Sequence, residues 1–171
     1  FDGFVIGTSS PRRKAQLEQL YAGVNVQIKP IRGNIDTRLA KLDAGEYDAI
    51  VLAEAGLDAL GIKRDYERLT SMVPAVGQGI IAVQCKKNDE VAKFFLKNIN
   101  DPETELCAKA ERKMLQVIGG DCETAIGGLA IIENNNLKLK VQLFSDSGSD
   151  SFEHELIGKD TDAVNIGKTV G

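Results

Sequence analysis

The first third of the chain alternates short apolar runs with apolar residues at helical spacing. Residues 4–6 form the first such run, and beyond it apolar side chains recur every three or four positions up to Tyr21. The same alternation follows in the next segments. Residues 24–28 are strand-like, residues 35–42 are helix-like, and residues 48–53 form a third apolar run. This pattern predicts an α/β domain with a parallel sheet.

The pattern changes in the second half of the chain. Residues 80–83 predict one more buried strand, and residues 90–99 predict an amphipathic helix. A long helix is expected from Pro102 to about Ile118, and a last one from residue 160 to Gly171. Between them, three strand-like runs are separated by polar hairpin loops; they span 125–132, 137–144 and 151–157. This half therefore predicts a small α+β domain in which an antiparallel three-stranded sheet packs on a helix.

These patterns divide the chain into three parts. Residues 1–76 form a central α/β anion-binding domain, residues 77–100 a hinge and a connecting segment, and residues 101–171 the C-terminal α+β domain. At the hinge, Gly77 and Gly79 free the backbone around one amide side chain, Gln78. A simple turn leading into a strand is the alternative at this point.

Composition excludes several classes of protein. The 171 residues are 43% hydrophobic and 27% charged, and no apolar run approaches the length of a membrane span. The three cysteines Cys85, Cys107 and Cys122 form no CxxC pair, and His154 is the only histidine. The cysteines are typical of reduced thiols and not of a disulfide framework. Their spacing and the single histidine also argue against a metal site. With no initiator Met or basic leader at Phe1, we expect a segment from within a larger cytoplasmic protein.

The charge of the chain is unevenly distributed. The formal net charge is −4, yet residues 1–42 carry seven Lys and Arg residues against three acids. A local positive cluster in an acidic protein favours a small, multiply charged anion over nucleic acid, which requires a broad basic face.

Two successive strand-to-helix corners carry this positive charge. At the first, Ser10 is placed to cap a helix whose first position is Pro11, and Arg12 and Arg13 follow. The second corner carries arginines before and after an Asn cap; its residues are Arg32, Gly33, Asn34 and Arg38. Helix-start N–H groups and guanidinium forks both match carboxylates, and the carboxyl ends of parallel strands are where such sheets bind ligands. Ordinary capped helices with solvated arginines are the alternative.

Several segments together resemble one known family. They are GTSSPRR at 7–13, RGNIDTR at 32–38, GEYDAI at 45–50, AEAGL at 53–57, PAVGQG at 74–79 and AER at 110–112. Their order closely resembles porphobilinogen deaminase, also called hydroxymethylbilane synthase, over nearly the whole chain. The resemblance implies a periplasmic-binding-protein-like second domain followed by the α+β domain, without the family's N-terminal domain.

The resemblance implies a cytoplasmic transferase of tetrapyrrole (haem, porphyrin) biosynthesis. Such an enzyme condenses four porphobilinogen molecules into hydroxymethylbilane with release of ammonia, on a dipyrromethane cofactor held through a thioether. Cys122 would carry that cofactor. The implied binding residues for the cofactor and the growing oligopyrrole are Ser10, Arg12, Arg13, Arg32, Gly33, Arg38 and Gln78.

The sequence also departs from the family pattern. Asp121 stands between the glycine pair and Cys122, and Ala125 replaces a usual proline. The family's Val-His-Ser-Leu-Lys-Asp segment, whose Asp is catalytic, does not occur, so no catalytic residue is assigned to this chain and we expect the fragment alone to be inactive. Residues 80–98 would return to the missing domain. We therefore expect residues 80–83 to self-associate or to be disordered, whereas the full-length protein is expected to be a monomer.

Two other functions remain open at this point. A two-domain fragment with an arginine cleft could be a carboxylate-binding module without enzymatic activity. A cysteine-nucleophile enzyme using Cys122 is the other, but His154 stands between two acids in a strand-like run, which argues against a catalytic imidazole.

Overall fold

The structure is a computed structural model that describes residues 3–119, 124–145, 148 and 150–171. It contains two compact units. The first comprises Phe1–Met72, Asp121–Ile126 and Leu143–Phe152, and the second comprises Val73–Gly120, Gly127–Gln142 and Glu153–Gly171. The division into functional parts at 1–76, 77–100 and 101–171 stays a prediction.

The first unit is an α/β structure with a parallel sheet, as the alternating pattern predicts. Its elements are β1 (Phe4–Gly7), α1 (Pro11–Leu20), β2 (Val26–Lys29), α2 (Ile35–Asp43), β3 (Ala49–Ile50) and α3 (Glu54–Ala59). The strand order is β2-β1-β3, and both neighbours run parallel to β1. Because Ile6 pairs with Ile28 on one side and Ala49 on the other, the carboxyl ends of the strands meet at one edge.

The third strand is shorter than the predicted run at 48–53. Only Ala49 and Ile50 pair with β1, because β1 itself ends at Gly7 and offers no further partner. Val51 still donates its N–H to the Gly7 carbonyl oxygen at 3.2 Å. The core beside this sheet includes Ile6, Leu17 and other apolar side chains that are less than a tenth exposed.

The second unit joins helices to most of an antiparallel sheet. Its elements are α4 (Glu90–Lys97), α5 (Pro102–Ile118), β4 (Ile126–Glu133), β5 (Asn136–Phe144), β6 (Ser151–Lys159), a 3₁₀ turn (Asp160–Asp162) and α6 (Ala163–Val170). The sheet order is β4-β5-β6, and a few terminal residues of these strands belong to the first unit. The predicted three strands and two flanking helices are confirmed.

Local sequence signals account for the ends of these elements. The Asp101 carboxylate accepts a hydrogen bond from the Thr104 N–H at 2.6 Å, which caps α5. Asn134 and Asn135 have φ values of 51° and 60°, the left-handed pair that a two-residue hairpin turn requires. Met114 on α5 and Leu137, Leu139 and Val141 on β5 are each 0% exposed, so they form the centre of this core.

The strand predicted at 80–83 does not form. The described part of the chain contains no strand at these positions, and Ile81 is 93% exposed. The prediction of a buried strand was wrong because an apolar run becomes a strand only beside a free sheet edge. Helix α4 does form as predicted, yet its apolar side chains Phe94 and Phe95 are 68% and 65% exposed.

We expect this exposed apolar surface to make the 171-residue chain self-associate. Phe94 and Phe95 lie edge-to-face with ring centroids 5.7 Å apart, and aromatic clusters of this kind are covered in stable assemblies. In sedimentation velocity, the average mass of the chain should therefore rise with protein concentration. The double substitution Phe94→Glu and Phe95→Glu should abolish this rise. Lys97→Glu on the same helix is the matched control. A monomer at every concentration would contradict the prediction.

No helix in the described ranges is both long enough and apolar enough to cross a membrane.

Candidate functional site

The first strand-to-helix corner is built as the sequence predicts. Ser10 has an extended backbone, with φ −86° and ψ 119°, and its Oγ accepts a hydrogen bond from the Arg13 N–H at 3.4 Å. Pro11 occupies the first helical position, where its missing N–H costs nothing. The start of α1 is therefore fixed at the edge where the parallel strands end.

Two further hydroxyl groups hold this corner in place. Thr8 is only 5% exposed, and its Oγ1 accepts a hydrogen bond from the Ser10 N–H at 3.2 Å. The Ser9 Oγ donates to the carbonyl oxygen of Ile31 at 2.7 Å, which ties the first corner to the end of β2. Both hydroxyls are thus engaged in shaping the turn.

Three arginines from the two corners lie within electrostatic reach of one another. Arg12 is 6% exposed, and burial together with the charge of Arg13 lowers its pKa to about 10. Burial, and then the charge of Arg38, likewise lowers the pKa of Arg13. The Arg13 Nη1 donates to the Val51 carbonyl oxygen at 2.9 Å. Arg12 and Arg13 therefore each lie close to another positive charge, and a bound anion would relieve the repulsion.

Gly33 supports this cluster through its backbone. Its carbonyl oxygen accepts a hydrogen bond from the Arg38 Nε at 2.7 Å, and its φ of +120° is one that side chains rarely adopt. A Cβ at this position would lie 2.8 Å from the side chain of Thr37. Asn34 occupies the predicted cap position of α2, but its side chain makes no capping hydrogen bond. Arg32 is exposed in the loop before it.

A cavity of about 440 Å³ lies in the first unit beside the start of α1. Its walls are Thr8, Ser9, Ser10, Pro11, Lys14, Ala15, Glu18, Ile28, Pro30, Ala125, Ser145 and Gly148. Ser10, Lys14 and Glu18 face it because they are spaced by four residues along α1, whereas Arg12 and Arg13 are not among its walls. Sequence reasoning missed Lys14 as a lining residue, although its four-residue spacing from Ser10 was visible.

The cavity is not uniformly positive. The Lys14 Nζ lies 3.8 Å from a carboxylate oxygen of Glu18, and both side chains are about half exposed. An anion in this cavity would therefore be held by the Ser10 hydroxyl, the helix start and Lys14, with Glu18 opposing it.

Gln78 belongs to the second unit, where its segment forms a turn. The Gln78 N–H donates to the Ala75 carbonyl oxygen at 3.0 Å, and the Ile80 N–H donates to that of Gly77 at 3.0 Å. Gly77 has a φ of +71°, and the Gln78 side chain is exposed. The local geometry is thus that of a turn, which was one of the two interpretations of this segment.

Sequence reasoning gave no role to Glu111 beyond its place in a family motif. This residue is 4% exposed, and its carboxylate accepts hydrogen bonds from the Gly77 N–H at 2.7 Å and the Ala130 N–H at 2.8 Å. Burial raises the pKa of Glu111, and the two backbone hydrogen bonds oppose that rise. The available signal was its position beside Ala110, on the apolar face of α5.

Cys122, the predicted cofactor attachment residue, lies outside the described residues. Of the other cysteines, Cys85 and Cys107 are half-buried free thiols. Burial raises the pKa of Cys107, and the nearby charges of Glu111, Glu103 and Asp101 raise it further. Across the described ranges, no group of three or more His, Cys, Asp and Glu residues could hold a metal ion.

Fold and side chains together define an α/β protein with a cluster of guanidinium groups at the carboxyl ends of parallel strands. Comparison with protein families is more specific. Residues 2–93 match the family model described as porphobilinogen deaminase, dipyromethane cofactor binding domain, and residues 105–171 match porphobilinogen deaminase, C-terminal domain. The chain belongs to the porphobilinogen deaminase family.

Individual relatives agree with this assignment. The chain is 46% identical over 166 residues to the porphobilinogen deaminase of Coxiella burnetii (strain RSA 493 / Nine Mile phase I), covering 95% of this chain and 53% of that protein. It is 45% identical to the probable porphobilinogen deaminase of Ignicoccus hospitalis over 96% of this chain and 54% of the relative. For the porphobilinogen deaminase of Staphylococcus aureus (strain Newman), identity is 40% over 99% of this chain and 55% of the relative. The chain thus spans about half the length of these curated relatives.

Proposed function

We propose that this chain is the cofactor-binding and C-terminal part of a hydroxymethylbilane synthase, a transferase of tetrapyrrole biosynthesis. The reaction joins four porphobilinogen molecules head to tail, and each condensation forms one carbon–carbon bond and releases one ammonia. Membership of the porphobilinogen deaminase family supports this proposal.

The observation that carries the proposal is the position of Arg12, Arg13 and Arg38 at two consecutive strand-to-helix corners, on the edge where the parallel strands end. Burial, and then the charge of a neighbouring arginine, lowers the pKa of Arg12 and of Arg13, and a negative ligand would stabilise such a cluster. Each pyrrole ring of the substrate carries an acetate and a propionate arm, so an oligopyrrole is a string of carboxylates. Charge-assisted, bidentate hydrogen bonds from arginine are suited to such a string.

In this proposal, one set of residues binds the carboxylate arms of the cofactor and of the growing oligopyrrole. The set is Ser10, Arg12, Arg13, Arg32, Gly33, Arg38 and Gln78. In this assignment the arginines bind the arms, Ser10 and the N–H groups at the start of α1 add donors, and the Gly33 carbonyl orients Arg38. The first unit, in this proposal, is part of a periplasmic-binding-protein-like domain, and the protein works in the cytoplasm.

A dipyrromethane cofactor on Cys122 fits the residues around the cavity. Ala125, which lines the cavity, follows Cys122 by only three positions in the sequence. The cavity also presents hydroxyl and ammonium donors to carboxylate arms. When bound, the cofactor supplies the pyrrole to which the first substrate is joined.

The residues of this chain bind and orient; the proton-transfer steps are assigned to none of them. We therefore expect the 171-residue chain by itself to bind carboxylates without turning over porphobilinogen. Turnover by the purified chain would refute this expectation.

Intact-mass spectrometry tests the proposal directly. The full-length protein that contains this segment, incubated with porphobilinogen, should gain the mass of one dipyrromethane and release ammonia. The adduct should persist in the variant Cys107→Ser and be absent from Cys122→Ser, because only the second variant removes the proposed attachment sulfur. An unmodified wild-type protein, or an adduct that survives Cys122→Ser, would overturn the assignment.

A further inference from the structure

The buried carboxylate of Glu111 connects three elements of the second unit. It projects from α5, one of its oxygens accepts the N–H of Gly77, and the other accepts the N–H of Ala130 on β4. Neither the arginine cluster nor the cavity beside α1 uses this residue. Burying a carboxylate costs free energy of desolvation unless hydrogen bonds compensate for it, so the presence of Glu111 at this buried position needs a structural explanation.

The reason lies in the free edge of the sheet. β4 is an outer strand, and the N–H groups of alternate residues point to its outer side. The Gly128 N–H donates to the Pro74 carbonyl oxygen at 2.9 Å, so the segment that begins at Val73 lies along this edge. At the next outward position, Ala130, the segment has turned away, and Glu111 supplies the missing acceptor.

The second carboxylate oxygen holds the segment where it turns away. Gly77 has a φ of +71° and donates to Glu111 at 2.7 Å, and the Gln78 backbone completes the turn through Ala75. The contact is close, since a Cβ at Gly128 would lie 2.9 Å from the Val76 side chain. The Glu111 side chain and the hydrogen bond from Gly128 to Pro74 therefore both hold this turn against β4.

We propose that Glu111 is a positioning residue that locks the turn at residues 75–80 to the edge of β4 and so fixes where Gln78 is presented. This inference rests on the proposed function, in which Gln78 contacts the oligopyrrole. The ionised carboxylate is the locking form, because both of its oxygens accept hydrogen bonds and protonation converts one of them into a donor.

Titratable groups on α5 and at its cap lie near Glu111. Asp101, Glu103 and Cys107 are among them, and the charge of Glu111 adds to burial in raising the pKa of Cys107. The turn from Pro74 to Ile80 and the strand residues Gly128 to Ile132 carry none. Burial raises the pKa of Glu111, so its midpoint should lie above that of an ordinary glutamate.

Amide NMR on the ¹⁵N-labelled 171-residue chain tests the lock without any ligand. On acidification, the amide protons of Gly77 and Ala130 should shift together, with one shared midpoint above the ordinary glutamate range. In Glu111→Gln that shared titration should vanish, and hydrogen exchange of the Gly77 and Ile80 amides should accelerate on the order of tenfold. Glu103→Gln, on the same helix, should change neither.

Amides of Gly77 and Ala130 that do not titrate in the wild-type chain would overturn the inference, even if Glu111→Gln failed to fold.

A second measurement uses the full-length protein. Glu111→Gln and Gln78→Ala should each raise KM for porphobilinogen, and the double variant should be no worse than the more impaired single one. Additive losses would overturn the positioning role. The NMR signature in the 171-residue chain, together with no turnover by the full-length wild-type protein, would refute the proposed function alone.

Discussion

Replacing both Arg13 and Arg38 by glutamine should weaken binding of porphobilinogen by a factor on the order of 10²–10⁴. Each charge-assisted hydrogen bond to a carboxylate contributes roughly 1.5–3 kcal/mol, and each 1.4 kcal/mol is a factor of about ten in affinity. The two side chains come from different helices, α1 and α2, and burial, followed by the charge of Arg38, lowers the pKa of Arg13. We therefore expect them to bind the two arms of one pyrrole. Isothermal titration calorimetry of the wild-type and doubly substituted proteins with porphobilinogen measures this loss of affinity.

The matched control removes the same charge elsewhere in the first unit. Arg64 and Arg68 are exposed and paired with Asp43 and Glu54, so replacing both by glutamine also lowers the net charge by two. We expect this control to change porphobilinogen affinity less than about threefold, since exposed ion pairs act weakly and are screened. Equal losses in the two double variants would reduce the proposed site to general electrostatic attraction.

Folding stability separates a binding role from a structural one. The Arg13/Arg38 double variant loses the hydrogen bonds from Arg13 to the Val51 carbonyl oxygen and from Arg38 to the Gly33 carbonyl oxygen, each worth about 0.5–1.5 kcal/mol. It also removes the half-buried charge of Arg13, whose pKa is lowered by burial and then by Arg38, and with it the charge that adds to burial in lowering the pKa of Arg12. Because these effects oppose each other, the ligand-free melting temperature should change little while the affinity collapses. A large drop in melting temperature would mean that these arginines act mainly on the fold.

Sequence alone predicted those parts of the fold that local signals specify. Ser10 caps a helix and Pro102 begins one as expected, and Asn134 and Asn135 make the hairpin turn, because each acts through residues within a few positions. Residues 80–83 failed as a strand, because strand formation requires a partner that local apolarity does not guarantee. Asn34 occupies its predicted position without its predicted hydrogen bond, since the cap geometry of one side chain is not set by residue type.

The candidate site was predictable in its charges but not in its contacts. Arginines at two consecutive strand-to-helix corners were expected to converge once the strands were parallel, and the charge of Arg38 adds to burial in lowering the pKa of Arg13. Their shared role in binding stays a prediction. Which backbone oxygens hold them was not predictable, because Val51 is 38 residues from Arg13. Glu111 illustrates the same limit, since its partners Gly77 and Ala130 are 34 and 19 residues away. Long-range hydrogen bonds to backbone groups leave no periodic trace in the sequence.

The second large effect is expected from Gly167→Ala, on the face of α6 that packs against α5. A Cβ at Gly167 would overlap the carbonyl oxygen of Ala110 and lie 3.0 Å from the Cβ of Lys113. Because the first obstacle is the backbone of a buried helix, the two helices must separate. Overpacking of this kind costs about 1–3 kcal/mol or more, against a gain of up to about 1 kcal/mol in helix propensity.

We therefore expect Gly167→Ala to destabilise the chain by about 2 kcal/mol and to lower its melting temperature by roughly 4–8 °C. Urea unfolding followed by circular dichroism measures the first quantity, and a thermal scan measures the second. Gly79→Ala is the control, since a Cβ there meets no heavy atom within 4 Å and the backbone needs no left-handed conformation. Equal stability of the two variants would show that the α5–α6 contact yields without cost, and that the core of the C-terminal unit depends instead on Met114 and the β5 side chains packed beside it.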